Sequence, residues 1–166
     1  MQFSVGVEYA LHCLLHLIDQ PSNQSIGIKQ LAQYQGVSET YLGKVFTRLK
    51  KAGIVTSTPG VKGGYQLARN PEKITFLDVV EALEGKTPLF QCKEIRQNCV
   101  IYKDQPAPDW MVQDPCLIQC VMHEAEQKMK SYLATKTLAW LHEELNRKIP
   151  DQIQTKKREW FKQALS

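Results

Sequence analysis

Apolar residues recur at three- and four-residue steps along several stretches of this chain, and the breaks between them fall at turn-forming residues. Val7, Ala10, Leu11, Leu14, Leu15 and Ile18 predict an amphipathic helix from Ser4 to about Asp19, capped by Ser4 and closed by Pro21-Ser22-Asn23. Between Ile28 and Leu67 the pattern predicts a helix, a tight turn, a second helix and a short β-ribbon. Ala32, Gly36, Val37, Leu42 and Val45 have the spacing of two helices crossing at a sharp angle. Ala32 is small where the second helix must approach, and Gly36 suits a turn that needs positive φ. Ser38 is the expected N-cap of the second helix and Gly53 its stop. Ile54-Val55-Thr56 and Tyr65-Gln66-Leu67 then read as strands on either side of a GVKGG turn. A helix-turn-helix followed by a wing is an arrangement for reading duplex DNA.

Downstream, Thr75 caps a predicted helix from Phe76 to Leu83, with Asp78 at its third position and Gly85 at its end. Residues 1–85 thus form a winged helix-turn-helix domain. Residues 86–115 hold Pro88, Pro106, Pro108 and Pro115 and keep no period, which predicts a long loop with at most one short turn. Asp114 as N-cap and Pro115 as first helical residue then start a helix running from Cys116 to about Thr135. Its stripe of Leu117, Val121, Ala125, Met129, Tyr132 and Leu133 has nothing left in its own domain to cover it, so a second copy of the chain is the expected cover. Leu138, Leu141 and Leu145 continue these dimerisation helices, over 116–149, and residues 150–166 form a basic tail of one or two helical turns. The fold class is mainly α with a small β-ribbon.

Charge sharpens the picture. The chain carries net +4, yet Ser38 to Lys73 holds Lys44, Arg48, Lys50, Lys51, Lys62, Arg69 and Lys73 against only Glu39 and Glu72, so the basic excess coincides with the DNA-reading motif. Ser38, Thr40 and Tyr41 stand in the first turn of the second helix, where base edges are met, with Lys44 and Arg48 further along for phosphate or guanine. Lys62, Gly63 and Gly64 would bring the wing close to the DNA backbone. No stretch is apolar for the ~18 residues a membrane span needs. Glu8 and the missing basic n-region argue against a signal peptide, so the expected location is the cytoplasm. No catalytic motif or phosphate-binding loop is present, and an enzyme using Cys116 or Cys120 as nucleophile is the weaker alternative.

Five cysteines without a secretory signal point to thiol or metal chemistry in a reducing compartment. Cys13 sits in the first helix and reads as a small buried apolar residue. Cys92, Cys99, Cys116 and Cys120 lie in or beside the loop, and the last two are one turn apart at a helix start, where the dipole favours thiolate. Glu8, His12 and His16 share one face of the first helix, which by itself would be a solvated edge. Zinc lacks its usual paired CxxC, whereas disulfide sensing, for example by Cys92 with Cys116, needs only two thiols within reach.

The runs YLGKVFTRLKKAGIV, GVKGGYQLARNPEKITFLDVVEALEG and Cys116 to Thr137-Leu138 together resemble the Rrf2 family of bacterial winged-helix regulators. That family includes the iron–sulfur cluster regulator, the nitric-oxide-sensing repressor and the cysteine-metabolism repressor. The resemblance covers nearly the whole chain. It implies a homodimeric transcription regulator, expected to repress, that binds a double-stranded DNA operator through its winged helix. It also implies a sensor loop ahead of the dimer helix, and a [2Fe-2S] cluster as the possible cofactor. Cys116 matches the family's third cysteine, but Gln119 replaces a further ligand found in some relatives, and the spacing from Cys99 is long. Glu8 and His12 stand where some members supply acidic or imidazole ligands from the partner subunit. The implied set is therefore Glu8, His12, Cys116 and Cys120, with Cys92 in place of Cys120, or Cys99, as alternatives. The family's wing usually carries arginine before its first glycine; here Pro59 stands there, leaving Lys62 as the substitute.

Overall fold

A computed structural model of the protein describes residues 2–21, 24–60, 63–102, 106 and 108–166. They divide into two compact units: residues 2–85 with 133–166, and residues 86–132.

The first unit opens with helix α1, Val5–Ile18, whose Ala10, Cys13 and Leu14 are fully buried. Ser4 holds the N-cap position but does not cap. Its backbone N–H and its hydroxyl both donate to Glu84 Oε1, at 3.0 and 2.6 Å, so it ties the start of α1 to the end of another helix. Helix α2, Ile28–Gln35, ends at Gly36 with φ +68°, the left-handed turn that only glycine enters without strain. Helix α3, Glu39–Lys51, begins at Ser38, whose Oγ accepts from Tyr41 N at 3.3 Å, and it buries Leu42, Val45, Phe46 and Leu49. These side chains join α1 and α2 in one core, where each fully buried aliphatic or aromatic residue contributes about 1.5–3 kcal/mol.

Strands β1, Val55–Thr58, and β2, Gly64–Leu67, pair antiparallel with Val55 opposite Leu67. Ile26 adds a bridge to Tyr65 on the other edge of β2, with backbone bonds of 3.1 and 2.8 Å. After a turn of 3-10 helix at Pro71–Lys73, Thr75 and Asp78 form a reciprocal capping box at the start of helix α4, Phe76–Glu84. Val79, Val80 and Leu83 face the core.

Within residues 86–132 the loop is more ordered than its prolines suggest. Two turns of 3-10 helix, Ile95–Asn98 and Val100–Tyr102, precede helix α5, Asp109–Gln113, whose Met111 is buried. A five-residue helix is too short to leave a periodic signature, so pattern reading passes over it. Asp114 ends α5 instead of starting the next helix. Helix α6 is Leu117–Thr135, two residues later in onset than Asp114-Pro115 implies. The one buried side chain on α6 is Glu126, 5% exposed, which accepts from Leu89 N at 3.2 Å and pairs with Lys130 at 2.6 Å.

The chain re-enters the first unit through an antiparallel bridge between Thr75 and Thr137, flanked by Phe76 N–H to Lys136 O and Leu138 N–H to Ile74 O. Helix α7, Leu138–Lys148, is capped by Thr137 and buries Leu138. The basic tail is not one or two turns but a 14-residue helix, α8, Asp151–Ala164, whose Phe161 lies in the same core as α1 and α3. No helix among the described residues is long and apolar enough to cross a membrane.

Candidate nucleic-acid interface and thiol site

Burial of Leu42, Val45, Phe46 and Leu49 on one side of α3 turns Thr40, Lys44, Thr47 and Lys51 outward along the opposite side. Thr47 and Lys51 complete a face that a first-turn reading stops short of; the helical period counted from Thr40 is the signal that finds them. Thr47 Oγ1 donates to Gly43 O at 2.8 Å. Ser38 serves as the cap already described. Tyr41 is 37% exposed, and its ring meets Tyr9 edge-on at 5.8 Å, so it also braces α3 against α1.

Arg48 is committed within the fold: Nη1 donates to Leu83 O at 2.8 Å, on the carbonyl end of α4. Lys50 Nζ donates to Ser57 Oγ at 2.6 Å, fastening α3 to the wing, and Arg69 pairs with Asp78 at 3.5 Å. Lys62 lies outside the described residues. Gly63 and Gly64 have an internal reason to be glycine. A Cβ on Gly63 would collide with Thr58 O, and one on Gly64 with the Ile26–Gly27 backbone.

The second site is the pair Cys92 and Cys116, whose thiols lie close enough to shift each other's protonation. Glu94 N–H donates to Cys92 Sγ at 3.4 Å, and Glu94 itself stands at φ +49°, a left-handed conformation uncommon for its type. Arg96 bonds Glu94 Oε2 through Nε at 2.8 Å and Asp114 O through Nη2 at 2.8 Å, gathering both ends of the loop around the thiols. Cys116 stands just ahead of α6, where the amides at the start of that helix favour its thiolate. Those amide donors, first Gln119 and then Ile118, with Cys92 and nearby Arg96, lower the Cys116 pKa. Cys92 is raised: the Glu94 amide opposes this, but desolvation, the neighbouring Cys116 thiol and the Glu94 charge prevail. Arg96 and Glu94 were not singled out by sequence; their position between Cys92 and Cys99 was the available hint.

Cys120 and Cys99 are exposed and Cys13 is buried, its thiol pushed up to about 12 by desolvation. Glu8 and His12 are exposed on α1, one turn apart, and both line a cavity of about 610 Å³ walled by Leu11, Phe76, Leu141 and Leu145. Among the described residues no three His, Cys, Asp or Glu side chains of one chain gather as a metal-holding group.

The family model described as Rrf2, iron-dependent transcriptional regulator, matches residues 3–144. Over 139 residues the chain is 38% identical to the protein rrf2 of Nitratidesulfovibrio vulgaris, covering 84% of this chain and 85% of that one. It is 33% identical over 125 residues to the HTH-type transcriptional regulator NsrR of Shouchella clausii, covering 75% and 77% of the two chains. Among solved structures, T. potens IscR superimposes with a TM-score of 0.63 at 25% identity, covering 87% of this chain and 88% of that one.

Proposed function

The chain belongs to the Rrf2 family of transcriptional regulators, and on that premise we propose that it is a homodimeric, sequence-specific DNA-binding protein whose operator affinity is set by a [2Fe-2S] cluster. The ligands in this reading are Cys92 and Cys116 of one protomer with Glu8 and His12 of the partner subunit. The observation that carries it is the nearness of the Cys92 and Cys116 thiols, each of which shifts the other's protonation, while Cys120 is exposed. Cys92 therefore replaces Cys120 in the ligand set implied by the resemblance.

The donor set fits the group. Two thiolates from one chain would be half of a four-ligand site, and carboxylate with imidazole would supply the remainder. When bound, such a cluster supplies a one-electron couple. The chain's own residues do the rest. Glu94, Ile118 and Gln119 direct N–H groups at the sulfurs, which supports thiolate charge. Arg96 adds a cation beside them while holding Glu94 and Asp114 in place. Two recognition helices set about 34 Å apart, one turn of duplex, would convert a change at the dimer contact into a change in specific binding.

Protein purified without oxygen and reconstituted with ferrous iron and sulfide is expected to absorb in the visible and to retain iron. Cys92→Ser and Cys116→Ser should lose both signals and Cys120→Ser should keep them. Wild type without iron, or a Cys120→Ser variant as empty as Cys92→Ser, would overturn the assignment. The same proximity favours one second reading, a reversible Cys92–Cys116 disulfide, in which peroxide takes two electrons and two protons from the thiols and leaves as two waters. Iron-free wild type that forms this bond on peroxide treatment would support it.

A further inference from the structure

Helix α8 lies wholly beyond residues 3–144, the part matched by the family model, and it is firmly attached. Phe161 stacks on Tyr34 and His16 at 4.8 and 5.2 Å, Trp160 meets Tyr34 at 5.0 Å, and Lys157 bonds Asp19 at 2.6 Å. Yet α8 does not close down on α1 and α7. Between the three helices remains a cavity of about 460 Å³, a size at which pockets hold small molecules.

Its apolar lining is Leu15, Leu145, Ile149 and Ile153. Its charged lining is two cations, Lys157 and Arg158, and one carboxylate, Asp19; His12 and His142 also line it. That carboxylate is already engaged twice, by Lys157 at 2.6 Å and by His142 Nε2 at 2.6 Å, and these partners outweigh desolvation to keep its pKa low. Arg158 donates to Thr155 Oγ1 through Nη2, and a guanidinium has donors beyond that one. The balance of the charged lining is positive. His16 also contributes to the wall, and its buried Nδ1 has no hydrogen-bond partner among the described residues. Tyr34, on α2 of the helix-turn-helix, also lines the cavity.

We propose that this cavity binds an amphipathic carboxylic acid, one molecule per protomer, with the carboxylate toward Lys157 and Arg158 and the hydrocarbon against Ile149 and Ile153. The proposal does not rest on the thiol site; the two share His12, which lines this cavity and is a ligand in the cluster reading, so the test uses iron-free protein. Calorimetric titration of the full chain with octanoate is the test, with octylamine as the charge-reversed comparison. Octanoate should bind saturably at one per protomer and octylamine should not. Ile153→Trp, which fills space along the apolar lining, should abolish the signal, with circular dichroism and Tm reporting that it folds. Arg158→Gln, an exposed change that leaves the Asp19 contacts intact, should weaken binding about tenfold and keeps the test open if the tryptophan variant misfolds. Unsaturable uptake, equal binding of octylamine, or full affinity in a folded Ile153→Trp or in Arg158→Gln would overturn the proposal.

Discussion

The ring of Phe161, near the end of the chain, lies 5.2 Å from that of His16, in the first helix, at an interplanar angle of 44°. Tyr34 and Trp160 complete the cluster, so the beginning, the helix-turn-helix and the end of the chain share one packed aromatic patch. Phe161 is almost fully buried within it. Phe161→Ala should destabilise the protein by about 3–5 kcal/mol, seen as a lower urea midpoint and Tm. An unchanged midpoint would mean that α8 detaches in solution.

His16 gives the same cluster a pH dependence. Burial pushes its pKa down to about 4, against a partial opposing effect from its bond to Gln35. The unfolded imidazole titrates near 6.5, so the unfolded chain gains the proton first. The contribution is whole above pH 6.5 and drains as the pH falls toward 4, by roughly 3 kcal/mol. His16→Phe should flatten that part of the stability profile when denaturant midpoints at neutral pH and near pH 4.5 are compared. A variant as acid-sensitive as wild type would show that other groups govern the loss.

The recognition face comes next. Thr40→Ala and Thr47→Ala should lower the preference for operator over random DNA by about 1–3 kcal/mol for each direct base contact. Tyr41→Ala should instead cost stability as well, through its contact with Tyr9. Binding assays on both DNAs, paired with thermal melts, separate the two effects. Equal specificity in both threonine variants would place another face in the groove.

The apolar side of α6 should be an interface between copies. Leu117, Ile118, Val121 and Tyr132 are all 63% exposed or more in the isolated chain. Val121→Glu with Met129→Glu should yield monomers in sedimentation and cut operator affinity steeply. Dimers surviving in the double variant would relocate the interface.

Much of this architecture was legible because short-range chemistry dictates it. Gly36, Ser38, Gly53, Thr75 and Asp78 each announce a helix boundary by a backbone requirement that few residues meet. The tail was not legible, since its helix is built on Phe161 and Trp160 meeting Tyr34, a contact across more than a hundred residues that no local period records. The thiol site was half legible. Spacing suggested Cys116 with Cys120, one turn apart, with Cys92 as the alternative. That Cys92 and Cys116 influence each other, in a loop gathered by Arg96 reaching the Asp114 carbonyl, has no local signature.

Arg48, seated on the Leu83 carbonyl, changes how the formal charge of the DNA-reading segment should be counted. Lys50 and Arg69 are likewise occupied, by Ser57 and Asp78, while Lys44 and Lys51 remain on the exposed side of α3 and Lys73 is exposed after the wing. Each phosphate neutralised releases condensed counterions and steepens the logarithmic salt dependence by about 0.9. Arg69 is paired with a carboxylate, whereas Arg48 and Lys50 bond neutral oxygens and keep their charge, tethered where the fold holds them. The ionic-strength response of this regulator should therefore follow first the untethered Lys44 and Lys51, with the tethered cations counting only where the duplex comes to them.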